Sequence, residues 1–269
     1  MIMKGSLNNR ILHVYPSLNV YGGAEKILLA LHKHFKMKGC KSLIVSFSDF
    51  EKIHKNYDIS IDEYIKLTPM LFYSFNNNDI IISHHRKTTT LLTLLNLVYK
   101  AKIVHVAHNV FDNLKYFTLF PKYNIAVSDA VKKNLIDYFG VDLHNVTTIY
   151  NGIEDIYIDS IPNQVTLYKN NKIMILYPAR ICKVKKQIEL VEKLVELPDN
   201  IEIHFAGDGE DKNRLLEIIK NKKSFKYIGF LSNVQDIFKF YSFVLLYSEK
   251  EGLPTSLIEA IMNKVPCIA

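Results

Sequence analysis

The chain has 269 residues, 48% of them hydrophobic and 23% charged; this globular balance excludes a disordered, collagen-like or coiled-coil chain and leaves room for one large or two small domains. Its three cysteines, Cys40, Cys182 and Cys267, are odd in number and far apart, so no disulfide framework or zinc knuckle fits and a reducing cytosol is expected. The formal charge of +7 is unevenly spread: residues 1–150 hold 18 Lys and Arg against 11 Asp and Glu, and the remainder holds 16 of each.

The first ten residues contain Lys4, Asn8, Asn9 and Arg10 and do not read as a secretory signal. The most apolar stretch, 90–110, is broken by Asn96, Lys100, Lys102, His105 and His108, so no spanning helix is expected. Short β-branched runs then alternate with amphipathic stretches. Strands are expected at 11–15, 42–47, 80–83, 103–106, 125–127 and 146–150, with helices over 24–38, 88–99 and 129–139. Ser128 suits the N-cap of the last helix and Gly140 its end. Asn151-Gly152 closes this series, and the polar stretch 154–171 reads as a linker. A second series follows: strand 173–177, helix 187–196, strand 201–206, helix 212–220, strand 226–229, helix 234–240, strand 243–247, helix 256–263 and strand 265–269. Strands separated by helices pair in parallel. The expected fold is therefore α/β, two Rossmann-like doubly wound domains at 1–152 and 153–269. The second series stops at its fifth strand and is expected to be incomplete at its C-terminal end, since such sheets commonly carry a sixth.

Ligands of open α/β sheets sit outside the carboxyl ends of the strands, with phosphates on helix N-termini. Three loops have that position. In the first, Gly22 and Gly23 open the first helix; the spacing is not the dinucleotide fingerprint, and a turn without a ligand explains it equally well. In the second, Arg180, Lys183, Lys185 and Lys186 follow a strand and could clamp a diphosphate, or form an exposed basic loop. The third runs from Ser248 to Ala260: Gly252 permits close approach, Pro254 suits the first helical position, and Thr255 and Ser256 offer hydroxyls and amides to an anion. Glu251 and Glu259 could grip two ends of one ligand, or merely suit the helix N-terminus.

Gly22-Gly23-Ala24-Glu25, the Arg180 and Lys185 pair, Gly207-Asp208-Gly209-Glu210 and Glu251-Gly252-Leu253-Pro254 with Glu259-Ala260 together resemble the family 4 retaining glycosyltransferases of GT-B fold. Glu251 and Glu259 match that family's Glu-x7-Glu motif, and Val127-Ser128-Asp129 and Ile149–Ile153 match further segments. The resemblance implies an acceptor-side first domain and a nucleotide-sugar-binding second one. It implies that Arg180 and Lys185 bind the donor diphosphate, Glu251 contacts the donor sugar, and Gly252, Leu253, Pro254, Thr255 and Ser256 lie along sugar and phosphate. Glu259 would hold the ribose, the Leu231 backbone would lie near the base, and His108 would face the donor sugar. His84 and His85 would line the acceptor side or be structural. Lys186 stands where many members have Gly. Asp208, Glu210 and Asp211 fall in the family's Gly-x-Gly turn, so neither a metal nor another cofactor is expected.

The activity so implied is transfer of a sugar from a nucleoside-diphosphate donor to a saccharide or lipid-linked acceptor in surface-polysaccharide biosynthesis, including lipopolysaccharide. A nucleotide-sugar 2-epimerase shares the architecture, and an inactive remnant or partner-binding subunit is the non-enzymatic alternative. The basic first half suggests an anionic membrane surface as partner, hence a cytoplasmic protein held peripherally at the inner face of the membrane. Lys36, Lys38, Lys41, Lys52 and Lys55 would otherwise serve solubility alone. Nucleic acid is not expected as a partner, since no binding module accompanies the charge.

Overall fold

The computed structural model describes residues 10–68, 75, 77–153 and 172–269; the linker expected at 154–171 lies outside them. The chain divides into two compact units, Met1–Gly152 and Ile153–Ala269.

The first unit contains strands β1 (Arg10–Val14), β2 (Lys41–Ser46), β3 (Tyr64–Lys66), β4 (Ile80–Ser83), β5 (Lys102–Ala107), β6 (Tyr123–Ala126) and β7 (Val146–Thr148). All pair in parallel, in the order β3-β2-β1-β4-β5-β6-β7. Helix α1 (Gly23–Met37) connects β1 to β2, and α2 (Arg86–Tyr99) connects β4 to β5. Helix α3 (Asp129–Lys133) follows β6 and passes into a π-helical turn, Asn134–Tyr138. Ser128 caps α3, accepting a hydrogen bond from the Val131 amide at 3.3 Å, and Gly140 closes the segment at φ +75°.

Successive residues of a strand face opposite sides, and both faces of this sheet are covered by helices. Leu12 and Val14 join Leu43, Val45, Ile81 and Ile103 beneath α2. On the other face α1 supplies Leu28 and Leu29, packed with Leu18, Ile44 and Tyr57. The ends of β1 and β4 are tied by the Arg10 guanidinium, whose two donors reach the fully buried Asp79 carboxylate at 2.9 and 2.6 Å.

The second unit repeats the plan with β8 (Ile173–Pro178), α4 (Gln187–Lys193), β9 (Ile201–Ala206), α5 (Lys212–Ile219), β10 (Phe225–Gly229), α6 (Gln235–Phe238), β11 (Phe243–Leu245), α7 (Thr255–Met262) and β12 (Cys267–Ile268). The parallel order is β10-β9-β8-β11-β12. Helices α4 and α5 cover one face through Leu190, Val191, Leu215 and Ile219; Phe238 of α6 and Ala260 of α7 cover the other. Both units are thus doubly wound parallel sheets.

Several boundaries differ from expectation. Strand β3 has no counterpart among the expected strands; at three residues it is too short to show a period, and it exists because its backbone completes the exposed edge of β2. Helix α4 ends at Lys193 instead of continuing to 196, with Leu194 leaving the helical region at ψ 71°; Pro198 lies just beyond, where it cannot continue a helix. Pro254 is not the first helical residue but the N-cap of α7, at φ −71° and ψ 105°. Its fixed φ suits either position, so the sequence does not decide between them. Among the described residues no helix is long and apolar enough to cross a membrane.

Candidate functional site

In the second unit the strand order reverses between β8 and β11, which places the loops after these two strands on either side of the crevice where open sheets bind ligands. Arg180 and Lys185 follow β8; Ser248 to Ser256 follow β11. The fold therefore gathers the two candidate cations and the Glu251 loop at one sheet end.

The two loops are joined through their backbones. The Glu249 amide donates to the Val184 carbonyl at 2.9 Å. The fully buried Tyr177, the next-to-last residue of β8, places its hydroxyl against the Lys185 carbonyl and, at 2.9 Å, the Tyr247 carbonyl. Gln187, buried at the start of α4, donates to the Arg180 carbonyl at 2.9 Å. Tyr177 and Gln187 thus hold the backbone on which the cations sit. Neither was among the candidates, because an isolated Tyr or Gln in an apolar strand or helix carries no spacing signal.

The loop after β9 presses against the same segment. Ile181 donates to the Asp208 carbonyl at 2.9 Å, and Asp211 donates back to the Ile181 carbonyl at 3.2 Å. A Cβ on Gly207 would lie 2.0 Å from the Ala179 carbonyl oxygen, and one on Gly209 would lie 2.2 Å from that of Ile181. These two glycines are there because backbone meets backbone. Gly22 and Gly23 are different: neither adopts a positive φ, and Gly22 is the extended N-cap of α1.

Both cations are paired. The Lys185 ammonium contacts the Glu251 carboxylate, which also accepts a hydrogen bond from the Ser248 hydroxyl; both ion-pair partners are about a fifth exposed. The Arg180 guanidinium reaches Glu210 at 2.9 Å, with both side chains more than half exposed. Glu210 stands in the Gly207–Glu210 motif and Ser248 opens the third loop, but their pairing with Arg180 and Glu251 is not legible from those positions. Beyond Gly252 and Leu253, Pro254 leads into α7, whose first amides at Thr255 and Ser256 face the loop end as an anion-favouring N-terminus. Glu259 is buried one turn inside α7, and Leu231, after β10, packs partly buried against the α6–α7 cluster. Lys186 takes φ +49°, the left-handed geometry that glycine adopts without strain.

In the first unit the order reverses between β1 and β4. Gly22 and Gly23 lie after β1, His84 and His85 after β4, and His108 after β5. His85 accepts from the Lys87 amide at 3.2 Å and caps α2, a structural role. His84 and His108 meet: His84 Nδ1 lies 3.1 Å from His108 Nε2. Burial pushes the His108 imidazole down to about 4, with His85 adding to the effect, and pushes His84 well below its usual range. Both are neutral at physiological pH. Among the described residues no group of three or more His, Cys, Asp or Glu is arranged to hold a metal ion.

Comparison with known proteins gives the same picture. The sequence model described as Glycosyltransferase Family 4 matches residues 21–155, and that described as Glycosyl transferases group 1 matches residues 160–269. The poly(ribitol-phosphate) alpha-N-acetylglucosaminyltransferase of Staphylococcus aureus (strain COL) is 25% identical over 187 residues, 63% of this chain and 36% of that protein. The capsular polysaccharide biosynthesis glycosyltransferase CapH of Staphylococcus aureus is 29% identical over 172 residues, 61% of this chain and 41% of that one. The chain therefore matches well under half the length of these relatives. In structure it is similar to Anabaena HepE, solved in complex with UDP-glucose, with a TM-score of 0.77 and 18% identity over 96% of this chain and 79% of that one. With two doubly wound units of GT-B type and a family match over half of its residues, the chain belongs to Glycosyltransferase Family 4.

Proposed function

We propose that the chain is the donor-binding and acceptor-side part of a retaining glycosyltransferase, which moves a sugar from a nucleoside diphosphate to a saccharide or lipid-linked acceptor in surface-polysaccharide biosynthesis. The observation that carries this reading is the gathering of Arg180, Lys185 and Glu251 at the switch point of the second sheet. Retaining transfer develops positive charge on the sugar ring and negative charge on the departing diphosphate. Two cations and the α7 N-terminus act where that negative charge grows, so they stabilise the transition state more than the bound donor. In this reading Glu251, which pairs with Lys185, contacts the donor sugar hydroxyls, Glu259 holds the ribose and the Leu231 backbone lies near the base, the roles the family resemblance implies. The family resemblance assigns His108 of the first unit to the donor sugar, which it would meet as a neutral hydrogen-bonding group. No step in this scheme calls for a metal.

The test is incubation with labelled UDP-glucose or UDP-N-acetylglucosamine and a saccharide acceptor. Labelled product that requires the acceptor is expected. An epimer formed from donor alone would replace this reading with the 2-epimerase. Binding of UDP without either product would favour a partner-binding subunit.

A second reading concerns place. The basic first unit also exposes apolar residues: Leu94, Leu97 and Val98 on α2, and Tyr116 and Phe117 in the segment after β5. The Leu119 amide donates to Thr90 of α2 at 3.2 Å, which brings that segment beside the helix. Lys87 in the first turn of α2, Lys100 at its C-cap, Lys102 on β5 and Lys122 before β6 are exposed as well. Each cation near an anionic leaflet contributes about 1 kcal/mol, so the reading is peripheral attachment at the inner face of the cytoplasmic membrane. The chain should co-sediment with phosphatidylglycerol vesicles at low salt, be released at high salt, and ignore phosphatidylcholine. Remaining in the supernatant throughout would make a soluble acceptor the better reading.

A further inference from the structure

Three histidines form a continuous chain across three neighbouring strands of the first unit. His13 lies on β1, His84 one residue past β4 and His108 one residue past β5, strands that are adjacent in the sheet. His13 Nδ1 is 3.2 Å from His84 Nε2, and His84 Nδ1 is 3.1 Å from His108 Nε2. Successive rings are nearly parallel, inclined by 29° and 18°. Parallel pairing sets this spacing, since the His84 amide is itself bonded to the Val14 carbonyl at 3.0 Å.

A neutral imidazole has one N–H donor and one bare nitrogen acceptor. Both hydrogen bonds of the middle ring can form only if every ring in the chain carries its proton on the same nitrogen. Two arrangements satisfy this: all three protonated at Nδ1, or all three at Nε2. The buried end distinguishes them. His13 is wholly buried, packed against His32 and Phe35 of α1, and its Nε2 has no hydrogen-bond partner. Protons on Nε2 would leave a buried N–H with no acceptor, whereas protons on Nδ1 leave only a bare ring nitrogen there. An unpaired buried donor is the rarer and more expensive outcome.

We infer that His13 and His84 are positioning residues that lock His108 as a neutral imidazole protonated at Nδ1. The ring nitrogen left outside the chain, on a partly exposed residue, is then a hydrogen-bond donor. His108 offers an N–H to an oxygen of the ligand, such as a sugar hydroxyl or a phosphoryl oxygen, and is unable to accept a proton there as a base. The use of that donor rests on the proposed placement of His108 at the donor sugar; the lock itself does not. The charged groups around the chain reinforce it. His32 disfavours an added proton on His13, His105 on His84 and His85 on His108; one shell further out, Lys33 and Lys36 of α1 act on His32 and Arg86 and Lys87 of α2 on His85, and Glu63 is itself paired with Lys36. Since His13 is sealed from solvent, no proton enters at that end, and the chain holds a tautomer instead of conducting protons.

Long-range proton–nitrogen NMR on the 269-residue chain labelled with nitrogen-15 histidine reads the tautomer of each ring directly, without ligand and without activity. At pH 7.5 His13, His84 and His108 should each show a pyrrole-like Nδ1 and a pyridine-like Nε2. A His108 or His84 protonated at Nε2, or a charged His108, overturns the proposal. His84→Phe should remove the lock and shift His108 toward the Nε2–H form that free imidazole side chains favour; an unmoved His108 would also overturn it. The wild-type spectrum decides even if that variant does not fold. Should the chain transfer no sugar while the tautomers are as expected, the functional reading falls and the lock stands.

Discussion

Alanine at Arg180 or Lys185 is expected to weaken UDP binding at least tenfold, with Lys185→Ala the more damaging. Hydrogen bonds to charged groups are each worth about 1.5–3 kcal/mol, and about 1.4 kcal/mol is a tenfold change. The pairs these cations make without ligand offset little of that gain. The Arg180 contact to Glu210 is exposed on both sides, and such pairs are worth about 0–1 kcal/mol. Lys185 differs because its partner Glu251 is only about a fifth exposed. Removing the ammonium deletes a diphosphate contact and also leaves a carboxylate uncompensated where the anion must sit. Calorimetry with UDP on both variants checks the order and the size. Unchanged affinity in both would remove the β8 loop from the donor site, whatever the family resemblance implies.

The second large effect is acid sensitivity confined to the first unit. Burial pushes His13 and His105 down to about 3 and His108 to about 4. In the unfolded chain these imidazoles titrate near 6.5. Above pH 6.5 folded and unfolded states are both neutral and nothing is lost. As pH falls below 6.5 the unfolded chain binds protons that the folded chain does not, so stability is lost progressively until the folded values are reached. Each such imidazole contributes about 1.4 kcal/mol of destabilisation per pH unit in that window. Three of them rival a domain stability of about 5–15 kcal/mol within two or three pH units. The second unit contains one buried histidine, His204, which Glu202 partly compensates. Glu202 is held down from 4.5 to about 2 by Lys172 and Lys226, so its own loss begins only near pH 4.5, below the pH at which the first unit already opens. Hydrogen exchange at pH 7.5 and pH 5.5, corrected for intrinsic rates, should show the 10–148 core opening while 172–269 stays protected. Equal protection of the first core at both pH values would contradict the burial of these rings as neutral groups.

Much of this architecture can be read along the chain because its signals are local. A run such as Ile80-Ile81-Ile82 is apolar on both faces and has to become a central parallel strand. Ser128 and Gly140 mark helix ends by their own hydrogen bonding and φ preference. The Glu251 to Glu259 spacing is local as well, and it places one carboxylate before α7 and the other one turn inside it. Even the Lys186 turn is half legible: the family resemblance expects glycine there, and the backbone keeps the left-handed conformation glycine would have used.

The remaining features depend on which strands become neighbours, and no local period encodes that. Tyr64–Lys66 is a strand only because β2 offers it an edge. Lys185 and Glu251 are 66 residues apart and Arg180 and Glu210 are 30 apart; each pair meets because parallel strands bring their carboxyl ends to one side of a sheet. Tyr177 looks like any core aromatic until the Lys185 and Tyr247 carbonyls close around its hydroxyl. The three histidines are the extreme case. Each one alone, on an apolar strand, reads as an ordinary buried imidazole. The register of β1, β4 and β5 sets the ring nitrogens within 3.2 Å of each other, and the depth of burial at His13 favours one proton arrangement over the other.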